Sequence, residues 1–341
     1  MRLLSEVTTL GVGGPADTFV EVTSEADLVA RIRECDSAAD PVLLLGGGSN
    51  VVIAEAGFDG TVLHVVTAGV TVDRVSLDQV DLTLAAGEPW DAVVQRSVAE
   101  GWSGIEALAG IPGRVGATPL QNVGAYGQEI AQVVTSLRVL DRRSGEVETM
   151  SAQDCRFRYR GSRLKDEWDR WVVLAVTVRL NEGGLGEVRF TQVAETLGVT
   201  SGARVPVQEL RQAVLNLRAD KGMVIDPDDP DTRSVGSFFL NPIVDPAHAV
   251  PNCPQFPEGE QVKLSAAWLI EQAGIHRGWR PDDACPAAVS SKHTLAIVNL
   301  GGATATDVLR VATAIRDRVA QVHGVLLEPE PRLIGCALAS D

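Results

Sequence analysis

The run Val42-Leu43-Leu44-Leu45-Gly46-Gly47-Gly48-Ser49-Asn50 decides how the first part of the chain is read. Four successive apolar residues are too few for a helix, and the glycines stop them abruptly. This is the signature of a buried strand emptying into a glycine turn. Glycine lacks a Cβ, so its main-chain amides come close to a phosphate or to another backbone. Ser49 and Asn50 add side-chain donors at the end of the turn. Taken alone, the segment suits a phosphate cradle and a tight connection equally well.

Working outward, Thr61 to Val66 forms a second apolar run, and Val80, Leu82 and Leu84 alternate with polar residues as in a half-buried strand. Trp90 to Glu100 places Val93, Val94 and Val98 at helical spacing, with Gly101 as its C-terminal stop. Ser136 to Leu140, the turn cluster Arg142-Arg143-Ser144-Gly145 and Glu146 to Met150 read as an antiparallel hairpin. Trp171 to Leu180 is a long β-branched run that suits a central strand. Pro206 then precedes a helix over Val207 to Ala219, with Leu210, Val214 and Leu217 on one face. Asp226-Pro227-Asp228-Asp229-Pro230-Asp231 breaks all periodicity and marks a domain boundary or a surface loop. Beyond it, Ser265 caps a helix running to Gly274, and Thr294 to Asn299 reads as a strand. Thr306 to His323 reads as an amphipathic helix with Val308, Val311, Ile315, Val319 and Val322 inward. Val325-Leu326-Leu327 closes as a strand. Strands and helices mixed in this way give an α+β class.

The chain has 341 residues, 45% of them apolar and 22% charged, which is enough for two or three domains with real cores. A net charge of −15 argues against a nucleic-acid partner, since phosphate backbones select basic surfaces. The five cysteines (Cys35, Cys155, Cys253, Cys285 and Cys336) are scattered and form no CxxC pair. They read as inert thiols of a reducing compartment, with no metal site expected. Met1-Arg2-Leu3-Leu4-Ser5-Glu6 lacks the apolar stretch of a signal peptide, and no segment approaches the roughly 20 apolar residues that span a bilayer. The expectation is a cytoplasmic protein with no membrane association and no obligate protein partner.

Two further glycine clusters stand out. Gly11-Val12-Gly13-Gly14-Pro15-Ala16 superficially fits a dinucleotide fingerprint, but no strand precedes it and a proline interrupts it. Gly110-Ile111-Pro112-Gly113-Arg114-Val115-Gly116-Ala117 leads into Gln121-Asn122-Val123-Gly124-Ala125-Tyr126-Gly127. Together they supply more donors and close-approach positions than one turn requires, which points to ligand binding. Arg156-Phe157-Arg158-Tyr159-Arg160 alternates like a strand with three arginines on one face. Ser237, after Gly236 and before two phenylalanines, reads as a turn serine, and Glu330 as a surface carboxylate.

Six motifs in order resemble the UDP-N-acetylenolpyruvoylglucosamine reductase family. They are Leu45 to Asn50, Ala109 to Gly113, Gln121 to Gly127, Tyr159 to Ser162, Gly236 to Pro242 and Leu327 to Glu330. The resemblance covers nearly the whole chain and implies a non-covalently bound FAD in a two-subdomain fold of the PCMH (vanillyl-alcohol-oxidase-like) type, followed by a C-terminal α+β substrate-binding domain. The implied boundaries are 1–70 for the first FAD-binding subdomain, with the tail 324–341 packing back on it, 71–220 for the second, and 221–323 for the substrate domain.

The implied activity is reduction of the enolpyruvyl group of UDP-N-acetylglucosamine enolpyruvate by NADPH, a step of peptidoglycan precursor synthesis. Hydride adds to the terminal carbon once charge on the carboxylate side is stabilised. Arg160 and Glu330 match the family's residues for that task, and Ser237 matches its general acid. A serine hydroxyl is a weak acid and needs polar support, for which Lys221 and Asn241 are the candidates. Flavin contacts are expected from Gly46, Gly47, Gly48, Ser49, Asn50, Gly110, Ile111, Pro112, Gly113, Gly116, Ala117, Gln121, Asn122, Gly124, Ala125, Tyr126 and Gly127. Substrate contacts are expected from Arg218, Lys221, Asn241 and His293, and Arg156 to Lys165 offers local positive charge to anionic ligands. Phe190 stands where the longer form of the family closes a tyrosine over the substrate diphosphate. Lacking a hydroxyl, it is not given that role. Two rival readings are an oxygen-using sugar-alcohol oxidase on the same flavin fold and a non-catalytic nucleotide-sugar-binding paralogue.

Overall fold

The structure, a computed structural model, describes residues 2–339. Met1, at the head of the expected first subdomain, and Ser340 and Asp341, at the end of the tail 324–341, lie outside the described residues. Packing divides the chain into two compact units. A central unit comprises Asp17–Gly47 and Asp59–Asp220, and a terminal unit comprises Met1–Ala16, Gly48–Phe58 and Lys221–Asp341.

In the central unit, Val42–Leu45 pairs in parallel with Phe58–Val65, whose other neighbour is Ala16–Val22. The helix Glu25–Ala38 begins where the Ser24 side chain accepts from the Asp27 amide. A five-stranded antiparallel sheet runs in the order Glu146–Ser151, Val134–Asp141, Trp171–Asn181, Gln79–Ala85, Val70–Arg74. Trp171–Asn181 is central because nearly all of its side chains are apolar and buried on both faces. Gln79–Ala85 alternates buried and half-buried residues, as its sequence pattern requires. The helices Trp90–Ala99 and Val207–Ala219 pack Val93, Val94, Leu210 and Val214 into the same core as Leu82, Leu137 and Val178. Each fully buried Val or Leu of this kind contributes about 1.5–3 kcal/mol before its ordering entropy is subtracted. Burial also pushes the Cys155 thiol up to about 12, so it is inert at neutral pH.

In the terminal unit, the strands Ser234–Ser237, Ala296–Asn299 and Ala287–Val289 form an antiparallel sheet. The helix Ala305–His323 packs Val308, Val311, Ile315 and Val319 into a core with Phe238, Leu269 and Val289. A Thr304–Asp307 capping box starts it, and Gly324, at φ 68°, stops it. Ala266–Gln272 is capped by Ser265, which accepts from the Trp268 amide.

Three sequence expectations fail here. Val322 is 43% exposed, because the apolar stripe rotates away from the core in the last helical turn. Val325-Leu326-Leu327 is not a strand: Val325 and Leu327 are buried but Leu326 is 63% exposed, and no ladder partner takes the segment. The terminal strand is instead Arg332–Ile334, parallel to Val51–Ile53. Lastly, Arg156 to Arg160 is not a strand. Arg156 and Arg160 adopt left-handed conformations at φ 48° and 49°, and Arg158 and Gly161 close a tight reciprocal turn.

Candidate active site

In the central unit, the strand Val42–Leu45 delivers Gly46 and Gly47 to the second glycine motif. A Cβ on Gly47 would lie 2.7 Å from the Gly113 Cα, so the two backbones meet where only glycine fits. The Gly110–Gly113 turn is held from both sides. Its Gly110 amide donates to Asp91 Oδ1 at 2.6 Å, and the Gly110 carbonyl accepts from Arg218 Nη2 at 3.3 Å. Arg211 in turn pairs with Asp91 at 3.2 Å. Gly116 packs on Ala86, whose Cβ would be 2.6 Å from an added one, and its amide donates to the Ala86 carbonyl. Ile111, Pro112 and Ala117 are carried on this same turn and the short 3-10 segment Val115–Ala117.

The Gln121–Gly127 segment is shaped by Asn122. Its buried amide donates to Glu129 Oε2 at 2.8 Å and to the Arg158 carbonyl at 3.2 Å, while Oδ1 accepts from the Ala131 amide at 3.1 Å. That side chain is committed to the protein and fixes the loop against the arginine-bearing turn. Asn122, Tyr126 and Arg160 have φ of 43°, 49° and 49°, a conformation costing about 1–2 kcal/mol for a residue with a Cβ. Asparagine tolerates it, but tyrosine and arginine are held there by their surroundings. Arg160 Nη2 donates to the Gly124 carbonyl at 2.7 Å, and Lys165 Nζ donates to the Arg160 carbonyl at 3.0 Å.

Arg218 is buried, and desolvation lowers its pKa from the ordinary guanidinium value. Arg160 adds to that effect, while Tyr126 and Asp91 oppose it. Burial raises the Tyr126 phenol against the pull of Arg218, so it stays a neutral hydrogen-bond donor at neutral pH. The three side chains are thus within electrostatic reach, and two guanidiniums sharing a poorly hydrated region favour an anion between them. Phe190, 42% exposed, meets Tyr126 edge-to-face at 5.5 Å. It buttresses the tyrosine instead of offering a hydroxyl of its own.

The terminal unit carries the remaining candidates. Gly48, at φ 60°, leaves 2.1 Å between a hypothetical Cβ and the Val7 carbonyl oxygen, and the Asn50 carbonyl accepts from the Arg332 amide at 3.0 Å. Ser49 lies between these two fixed points. Ser237 ends the strand Ser234–Ser237 opposite Ala296, and Gly236, at φ 75°, puckers the strand just before it. Phe238 and Phe239 then plunge into the core. Their main chain pairs with the acidic motif: the Glu330 amide donates to the Phe238 carbonyl at 2.8 Å, and the Leu240 amide donates to the Glu328 carbonyl at 3.0 Å. The structure thereby brings Ser237 and Glu330, far apart in sequence, onto adjacent paired segments. Asn241 Oδ1 accepts from the Ala266 amide at 2.9 Å, so it spends one acceptor on the start of that helix. His293 sits in the turn before Ala296–Asn299, its amide donating to Ser290 Oγ at 3.2 Å. Lys221 begins the terminal unit's long segment.

Over nearly its whole length the chain is similar to known proteins. It is 46% identical over 337 residues to the UDP-N-acetylenolpyruvoylglucosamine reductase of Cutibacterium acnes, covering 98% of this chain and 90% of that protein. The chain belongs to the UDP-N-acetylenolpyruvoylglucosamine reductase family. The reductase of Saccharopolyspora erythraea is 48% identical over 350 residues, with 98% and 95% of the two chains covered. A solved reductase of this family from Thermus caldophilus superposes with a TM-score of 0.67 at 28% identity, covering 98% of this chain and 97% of that one. The family model described as the C-terminal domain of UDP-N-acetylenolpyruvoylglucosamine reductase matches residues 228–334, and one described as a FAD binding domain matches residues 16–151. The α+β class and the flavin-domain-plus-C-terminal-domain composition expected from the motifs therefore hold for this reductase.

Sequence reasoning missed two residues that hold candidate segments in place, one in each unit. Asp91 clamps the Gly110 amide, yet in sequence it is only an acid in the first turn of a helix. Asp231 was hidden in a run of four aspartates read as a loop, although it is buried. The twin serines Ser290 and Ser291, three and two residues ahead of His293, were the available signal.

Proposed function

We propose that this chain reduces the enolpyruvyl ether of UDP-N-acetylglucosamine to the corresponding lactyl ether, UDP-N-acetylmuramate, at the expense of NADPH. The glycine turns fit a dinucleotide in that their glycines put no side chain over the main chain: Gly47 and Gly113 pass so close that a Cβ on Gly47 would lie 2.7 Å from the Gly113 Cα. Residues 46–50, 110–113, 116–117, 121–122 and 124–127 would hold FAD, which when bound would supply the hydride carrier between NADPH and the sugar's double bond.

The chain's own groups manage the rest of the reaction. Hydride enters at the terminal carbon, and the electron pair of the double bond shifts toward the carbon bearing the carboxylate. Arg160, tethered to the Gly124 carbonyl, stabilises the negative charge that builds on that carboxylate, and Glu330 completes its polar surroundings. Ser237 gives the proton that closes the second carbon, and the serine is then reprotonated from solvent. Arg218, Lys221, Asn241 and His293 bind the substrate. Residues 1–70, with the tail 324–341, and 71–220 form the flavin-binding part and 221–323 the substrate-binding part. The proposed ligands are small molecules and the proposed setting is the cytoplasm; no described helix is long and apolar enough to cross a membrane.

The observation that carries this reading is the pairing of the Phe238–Leu240 segment with Glu328–Glu330. It supports the reading because the motif carrying Ser237 and the motif carrying Glu330, distant in sequence, run side by side. Steady-state assays with NADPH and the enolpyruvyl UDP-sugar test it. NADPH oxidation should depend strictly on the sugar, and the product should be heavier by two hydrogens. Oxygen consumption and hydrogen peroxide formation with a sugar alcohol, in the absence of NADPH, would favour the oxidase alternative.

A further inference from the structure

Beneath the segments that carry Lys221 and His293 lies one buried carboxylate, Asp231. Its Oδ1 accepts from the Ser290 hydroxyl at 2.6 Å and from the Ser291 amide at 2.8 Å, and its Oδ2 accepts from the Ser291 hydroxyl at 2.6 Å. The fully buried Ser290 hydroxyl accepts in turn from the amides of Lys292, at 3.0 Å, and His293, at 3.2 Å. The turn presenting His293 is therefore hung from Asp231 through Ser290.

On its other side Asp231 packs against Gly222, the residue after Lys221. A Cβ on Gly222 would fall 3.0 Å from the Asp231 Cβ and 3.2 Å from its carbonyl oxygen, and Gly222 sits at φ 65°. The aspartate-rich loop supports the same point. Asp229 Oδ1 accepts from the Asp231 amide at 3.0 Å, and Asp229 Oδ2 pairs with Lys292 Nζ at 2.5 Å. The Thr232 hydroxyl donates to the carbonyls of Asp226 and Asp229 at 2.7 and 2.8 Å. Desolvation works against ionisation of Asp231, but the hydrogen bonds from Ser290 and Ser291 and the charge of Lys292 hold its carboxyl below the usual range. The anchor is thus a charged acceptor at neutral pH, and charge-assisted bonds of this kind are the strong ones.

We propose that Asp231 is a positioning residue for the reductase reaction: it fixes the backbones carrying Lys221 and His293 in the register needed to grip the UDP-sugar. The proposal rests on the substrate-binding role given above to those two residues. A hydrogen bond or ion pair to the ligand weakens steeply once its geometry is lost, so displacing these two backbones costs affinity. Asp231 itself touches no reacting atom, so its loss should weaken substrate binding far more than the chemical step.

The test is calorimetric titration of the oxidised, FAD-loaded protein with UDP-N-acetylglucosamine enolpyruvate, alongside steady-state kinetics and a melting temperature. Asp231→Asn removes the charge, and Ser291→Ala removes one hydroxyl at an exposed position with little risk to folding. Asp231→Asn should raise the Kd and KM for the sugar about tenfold, with kcat changed less than about twofold. Ser291→Ala should raise them about threefold with an unchanged melting temperature, and the double variant should be no worse than Asp231→Asn, because the two changes break one network. An unchanged Kd in Ser291→Ala and a lowered melting temperature alone in Asp231→Asn would overturn the positioning role. Additive effects in the double variant would also overturn it. If Asp231→Asn does not fold, Ser291→Ala decides by the same criterion. Failure of the wild-type protein to bind or reduce the sugar would instead strike at the assigned reaction.

Discussion

A serine hydroxyl, with a pKa far above neutrality in water, becomes a useful acid only where the acceptor's developing charge and a fixed polar setting favour transfer. Ser237 meets the geometric part of that demand. Gly236 puckers the strand ahead of it, and Phe238 anchors the backbone behind it in the core. Removing the hydroxyl should leave the first half of the reaction alone. Ser237→Ala is expected to accept electrons from NADPH at close to the wild-type rate and to lose turnover with the sugar by about 10² or more. Rapid-mixing measurement of the two half-reactions separates these outcomes, and an unchanged sugar half-reaction would remove Ser237 from proton transfer. At this scale the sequence was legible where chemistry demands an unusual residue in a motif. It was illegible where identity depends on direction: four aspartates occupy 226–231, and nothing in their order says that Asp231 alone is drawn fully inward.

Among secondary elements, the end of the strand Val134–Asp141 shows how polar anchoring holds the sheet. Arg170 grips Asp141 at 2.7 and 3.0 Å, the Arg143 amide adds a third bond at 3.0 Å, and the Arg170 guanidinium lies 4.3 Å over the Trp171 ring. The Arg170 hydrogen bonds hold the Asp141 carboxyl below its usual range, outweighing burial. A carboxyl depressed in the folded state contributes stability above its unfolded pKa and loses it as pH falls through the folded value. Asp141→Asn should therefore melt a few degrees lower than the parent at neutral pH, with the gap closing below about pH 4. A gap that persists undiminished in acid would point to packing instead of charge. The element scale was the most legible one. The Val207–Ala219 helix, the hairpin turning at 142–145 and the strand Trp171–Asn181 follow directly from periodicity and turn residues. The failures share a cause, because short segments owe their state to distant partners. Arg332–Ile334 is a strand only because Val51–Ile53 offers an edge, and the alternating Arg156 to Arg160 run turns because Asn122, Gly124 and Lys165 hold it.

For the whole molecule, an acidic chain of net charge −15 still sets Arg160 and Arg218 within electrostatic reach of each other in the central unit, the local positive charge that the proposed anionic ligands need. The motifs that revealed the family are the places where backbone must approach closely or a charged group must be held, and physical constraint is tightest there. The central claim is that one flavoprotein carries reducing equivalents from NADPH to an enolpyruvyl UDP-sugar. Anaerobic stopped-flow absorbance of the FAD-loaded protein tests it most directly, with NADPH added first and the sugar second. Bleaching of the flavin by NADPH, followed by recovery of the oxidised spectrum only when the sugar is added, is the predicted result. A bleached flavin that stays reduced in the presence of the sugar would contradict it.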